Sequence, residues 1–126
     1  TNAKTPTLCM PEHVVSFGRH IGIQPIVSSR EIPKAQMINT HYWVSSSFSR
    51  TDIFRRHPYN ETVGRQAKFA FEDWDFNLRC IASGTDIEPV PQTYLFYRRR
   101  DNSILQEHLQ FNSLIPPSDF FLTLGL

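Results

Sequence analysis

No apolar stretch in this 126-residue chain approaches the roughly 20 residues that a membrane helix requires. Cysteine is scarce, and Cys9 and Cys80 form neither a close pair nor a C-x-x-C, so neither a disulfide framework nor a cysteine zinc site is indicated. The five histidines show no H-x-x-x-H or H-E-x-x-H spacing, so no zinc motif is read from them. Neither sign of charge is in excess: 13 Lys and Arg face 12 Asp and Glu, a formal net charge of +1. That balance gives no general attraction to nucleic acid or an anionic membrane. Repeats, low-complexity tracts and glycine-rich phosphate loops are also missing. The opening Thr1-Asn2-Ala3-Lys4-Thr5-Pro6 carries no initiating Met, basic region or apolar region. It is not a signal peptide, and it reads as the cut end of something larger. With no disulfide framework indicated, the reducing cytoplasm is the default compartment.

What is present suffices for a packed interior: 40% of residues are apolar and 13% aromatic, in a chain of one-domain length. The first 40 residues are short apolar runs broken by proline. His13–Phe17, ending at Gly18, and Ile21–Val27 read as strands or extended segments, with Pro25 marking an edge or a strand end. Tyr42–Phe48 is β-branched and aromatic enough for a third strand, and Thr51–Arg56 for one or two helical turns stopped before Pro58. The clearest helix runs from Phe71 to about Ser83, with Gly84 as its stop. Its Trp74, Leu78, Ile81 and Ala82 recur at three- and four-residue spacing, which predicts one buried face. Ile87–Tyr97 reads as a strand interrupted early by Pro89 and Pro91. Ser103-Ile104-Leu105-Gln106 has the capping-box pattern and opens a second helix that fades before Pro116-Pro117. Strand, helix, strand, helix predicts an α/β domain.

The chemistry-bearing phrase is Phe71-Glu72-Asp73-Trp74-Asp75-Phe76-Asn77-Leu78-Arg79. Adjacent carboxylates on a helix point about 100° apart, so one can face a cleft while another pairs internally. The helix dipole favours their charged form, as a general base near neutral pH requires. Acidic first turns are also common without any catalytic role. Asp75 and Arg79, four apart, can form an ordinary helix-face ion pair. Trp74 has a core reading from its spacing to Leu78. Arg98-Arg99-Arg100 is the dense basic cluster, either a solvated strand end or a phosphate clamp. With Tyr94, Phe96 and Tyr97 it also suggests nucleic-acid stacking, but strand alternation splits those rings between two faces and the charge balance speaks against nucleic acid. His108 is read as a helix-surface or partly buried residue rather than a metal ligand.

The order Glu72-Asp73-Trp74-Asp75, Arg79, Gly84, Val90-Pro91, Tyr97-Arg98-Arg99 and Ser103 resembles the family 2 glycosyltransferases of the GT-A fold. Trp43–Arg50 and Ile53-Phe54 resemble the segment that family places before its acid helix. Ser103-Ile104-Leu105 and Pro116-Pro117 resemble the ends of such domains in surface-polysaccharide synthesis proteins. The likeness spans residues 41–118, with residues 1–40 as a strand-rich lead-in and 119–126 as an apolar tail. It implies a partial GT-A-like mixed sheet with flanking helices. It also implies inverting transfer of a sugar from a nucleotide-sugar donor to a saccharide acceptor. Asp73 then matches the general base, Glu72 and Trp74 the acceptor-binding positions, and Arg98 and Arg99 the residues holding the leaving diphosphate.

A complete domain of that kind also needs a nucleotide-binding half and an Asp-x-Asp metal motif. Asp73-Trp74-Asp75 has the spacing but lies inside the acid motif, so no metal ligand is assigned. The resemblance therefore implies no cofactor within this chain, and a divalent Mn or Mg in a complete enzyme. The chain is expected to be the acceptor-side half of a transferase, inactive or nearly so alone. The other reading is a non-catalytic glycan-binding or assembly module that pairs through an exposed sheet edge. In either case the tail Phe120-Phe121-Leu122, with Leu124 and Leu126, is apolar enough to pack on a partner or a parent domain.

Overall fold

The computed structural model describes residues 6–59, 71–100 and 115–125. Strand β1 (Thr7–Gly18) is flanked antiparallel by β2 (Gly22–Pro25) and parallel by β3 (Asp86–Arg99), in the order β2-β1-β3. Between β2 and β3 the described residues form a 3-10 turn at Ser29–Glu31 and the helices α1 (Gln36–Asn39), α2 (Thr51–Arg56) and α3 (Glu72–Ala82). A second 3-10 turn covers Asp119–Leu124. The architecture is α/β, a mixed three-stranded sheet with a few helices. Among the described residues no helix is long and apolar enough to cross a membrane.

Alternation along β1 sends Leu8, Met10 and Val14 to one face, where they join Ile87 of β3 in the core. Ile26, Met37, Trp43 and Ile53 come to the same cluster from the connections, Phe76, Leu78 and Cys80 from α3, and Phe120 from the last turn. The buried face of α3 differs from the one its spacing predicts. Phe76, Leu78 and Cys80 are sealed together with Asp75 and Asn77, while Trp74, Ile81 and Ala82 pack around them half-buried.

Pro89 and Pro91 do not end β3. They produce a bulge, in which Pro91, Gln92 and Thr93 stand against Glu12 alone between the pairs Pro11–Val90 and His13–Tyr94. Gln92 takes φ 62° there. Side chains close the polar groups that the prolines leave unmatched: the Glu12 amide donates to Thr93 Oγ1 at 3.0 Å, and Thr93 Oγ1 donates to Val90 O at 2.6 Å. Among the described residues β3 is an edge strand, which is where proline is tolerated.

The strand expected over Tyr42–Phe48 does not form. Only Phe48 meets the sheet, exchanging both backbone hydrogen bonds with Cys9 at 2.8 Å. Side chains tie this stretch down instead: the Trp43 indole donates to Val27 O at 2.9 Å and Ser49 Oγ to Thr7 O at 2.6 Å. Burying Trp43 outweighs a ladder, because β-propensity yields to packing. The helix over Thr51–Arg56 and the stop at Gly84 form as expected. Gly84 adopts φ 92°, its amide bonds Ile81 O and the Thr85 amide bonds Cys80 O, both at 3.0 Å, a Schellman ending. The helix expected from Ser103 falls on positions 103–114, outside the described residues.

Candidate functional site

Helix α3 starts from Phe71, held left-handed at φ 60° with no side-chain cap. Satisfying the amides of its first turn falls to groups outside the helix ladder. Asp73 does part of this, accepting the Trp74 N–H on Oδ1 at 2.9 Å. Two residues on, and facing another way, Asp75 is buried with 1% of its side chain exposed. Arg79 Nε donates to its Oδ2 at 3.0 Å, and Arg79 Nη2 donates to Pro58 O at 2.7 Å. Burial pushes the Asp75 carboxyl up, and the charge and hydrogen bond of Arg79 oppose that rise. The expected ion pair exists, but it is an internal strut rather than a surface pair.

Asp73 keeps 30% of its side chain exposed at the helix mouth. Its Oδ2 faces His41 Nδ1 at 3.9 Å. The His41 ring stacks on Trp74, centroids 5.4 Å apart and 9° from parallel, and its Nε2 lies 3.0 Å from Asn77 Nδ2. Trp74 is anchored in turn, its indole N–H donating to Met37 O at 2.8 Å, with the Phe71 ring edge-on at 5.7 Å. One face of Trp74 is thus taken by His41, which makes the ring a buttress for the mouth. Burial lowers the His41 pKa from its ordinary 6.5, more than the Asp73 charge raises it, and the imidazole is neutral at pH 7. Tyr59 also senses this mouth: burial raises its hydroxyl pKa and the charges of Asp73 and Glu72 add to the rise. Glu72 is half-buried beside Asp73.

Arg98 and Arg99 are not brought to this mouth. The Arg98 guanidinium lies 5.5 Å from the centre of the Phe17 ring and that of Arg99 lies 4.6 Å from Tyr97, while Arg99 Nε donates to Ser16 Oγ at 3.0 Å. Helix and strand leave the same turn at Gly84. Asp73 lies at the end of the helix away from that turn, and Arg98 and Arg99 at the end of the strand away from it. Among the described residues no group of three or more His, Cys, Asp or Glu could hold a metal ion. Asp73 and Asp75 are not brought together as a pair of open carboxylates, since Asp75 is sealed against Arg79.

His41 and Asn77 are the residues that sequence reading misses. His41 lies in no motif and 32 positions before Asp73, and only the chain's path from α1 to α3 brings it there. Asn77 carries a weak signal, one turn after Asp73 on α3. No protein-family model matches this chain, and no curated protein or solved structure resembles it significantly.

Proposed function

We propose that the mouth of α3 is the acceptor side of an inverting glycosyltransferase site, with Asp73 as general base. One observation carries the reading: of the acids in the first turn, Asp75 is locked inside by Arg79, while Asp73 stays partly open beside polar partners. In the reaction the acceptor hydroxyl oxygen attacks the anomeric carbon of a nucleotide-sugar and the nucleotide diphosphate leaves. The hydroxyl proton passes to Asp73 Oδ2. A sugar hydroxyl needs such a base because it is a weak nucleophile until its proton departs. Glu72, next to the base, is assigned to hydrogen bonds with the acceptor saccharide, and Trp74 supports that surface. Arg98 and Arg99 are left out of this site, since their guanidinium groups are engaged by Phe17, Tyr97 and Ser16 at the far end of β3. A cytoplasmic setting belongs to the same reading, with Cys9 and Cys80 both free thiols.

The test is sugar transfer by the full reading frame that contains this chain, assayed across several nucleotide sugars. Asp73→Asn should lower kcat by about 100-fold or more with the fold intact. Unchanged transfer would remove Asp73 from the role.

The second reading, an assembly or glycan-binding module, draws on the outer face of the sheet. There Ile23, Val15 and Phe96 share one cross-strand row and His13 stacks on Tyr94, with Ile23, Tyr94 and Phe96 well exposed. Glycan binding or self-association that persists in Asp73→Asn, with no transfer by the native protein, would favour it.

A further inference from the structure

We propose that His41 is a positioning residue for Asp73: Asn77 and Trp74 fix its ring so that Nδ1–H faces Asp73 Oδ2 and turns the carboxylate toward the acceptor hydroxyl. The tautomer is set by Asn77, whose Nδ2 can only donate. At 3.0 Å from His41 Nε2 it requires that nitrogen to accept, which in a neutral imidazole leaves the proton on Nδ1. Stacking on Trp74 sets the plane of the ring, and the Met37 carbonyl sets the plane of Trp74. Nδ1 then carries its proton 3.9 Å from Oδ2, the Asp73 oxygen other than the one that accepts the Trp74 N–H.

His41 is not itself the base. Its Nε2 is occupied by Asn77, and only 17% of its side chain is exposed. Asp73 is the more open partner, so the proton acceptor is the carboxylate and the imidazole holds it. The 3.9 Å separation exceeds a direct hydrogen bond, and it closes when the acceptor fills the mouth, as catalytic contacts commonly do. Base, orienting ring and a third group that fixes the ring form a relay of the kind that aligns other catalytic side chains.

The test uses the whole protein with ¹⁵N-labelled histidine and ¹³C-labelled aspartate carboxyls, as wild type, Asp73→Asn, His41→Phe and His41→Asn. The His41 ring nitrogens should report the Nδ1–H tautomer at neutral pH. In Asp73→Asn the His41 midpoint should fall further, because Asp73 is the charge that opposes the effect of burial. The Asp73 carboxyl resonance should move in His41→Phe and return in His41→Asn, whose amide N–H takes the place of Nδ1–H. An Nε2–H tautomer, or a His41 midpoint indifferent to Asp73→Asn, overturns the proposal even where His41→Phe does not fold. The kinetic arm rests on the transferase reading: His41→Phe should lower kcat about 10- to 100-fold with the donor KM unchanged, and His41→Asn should recover part. If no donor supports transfer while the two side chains remain coupled, the transferase reading fails and the pairing stands. Full kcat in His41→Phe, in an enzyme that needs Asp73, overturns the positioning role.

Discussion

Arg79 closes over Asp75 from one turn along α3, with Nε 3.0 Å from Oδ2, and the same guanidinium reaches across to the carbonyl of Pro58. The pair therefore joins the long helix to the segment that follows α2. Removing the arginine leaves a carboxylate buried without its partner, which typically costs about 3 kcal/mol or more. Arg79→Met should lower the urea midpoint accordingly, and Asp75→Asn should cost less because it removes the charge. The double variant should recover part of the loss. On the transferase reading, sugar transfer by Asp75→Asn should track the amount of folded protein, the opposite of a folded but silent Asp73→Asn.

The lowered pKa of His41 gives stability a definite slope with pH. Burial is the larger cause and Asp73 opposes it, so the folded state binds the proton less readily than the unfolded chain, whose ordinary value is 6.5. As pH falls below 6.5 the unfolded state takes up the proton first, and stability declines until the folded value is passed. His57, lowered by burial and then by Arg79 and Arg56, adds a slope of the same sign. Thermal melts across this window should show Tm falling with acid, more weakly in His41→Phe. A Tm in His41→Phe with the wild-type slope would assign the effect to His57.

Cys80 lies in the core with none of its surface exposed, and burial pushes its thiol up to about 12, against the pull of Arg79 and Arg56. The thiolate is the reactive form, so the native protein should shield this residue from a disulfide reagent at pH 8. Cys9, half-buried on β1, is the thiol the reagent should reach in the folded state. Labelling should count one thiol in buffer and two in denaturant. Two fast thiols in buffer would mean that α3 opens locally.

How far these features are legible from sequence depends on the range of their cause. The Gly84 stop and the acidic first turn of α3 are local, written in φ preferences and in the dipole, and they stand as expected. Asp75 and Arg79 were legible as a pair, but their burial was not, because spacing on a helix does not tell which side the sheet covers. The bulge in β3 was half-legible: the prolines announce an interruption, but only Thr93 and Glu12 together let the strand continue through it. His41 was illegible. Its meeting with Asp73, Trp74 and Asn77 is a product of tertiary path, with no short-range pattern to announce it.

The apolar tail divides in a way its composition does not show. Phe120, Phe121 and Leu122 read alike in sequence, but the turn at Asp119–Leu124 sends the Phe120 ring wholly into the core while Leu122 keeps 82% of its surface exposed. Phe120 packs into the cluster that α3 and the sheet share, so the tail is part of the chain's own core rather than only a handle for a partner. Truncating a sealed phenylalanine removes its transfer energy and leaves a cavity, together about 3 to 5 kcal/mol. Phe120→Ala should therefore bring the urea midpoint down steeply, and it should loosen α3 most, since that helix rests against the turn. Leu122→Ala should change the unfolding free energy by less than about 0.5 kcal/mol, as surface changes do. Both variants are compared at the same chain length by urea unfolding with a tryptophan signal, Trp43 being buried and Trp74 half-buried near the same core. Equal losses in the two variants would mean that Leu122 is covered in solution by a surface absent from the single chain. That outcome would move weight from the transferase reading toward the assembly reading.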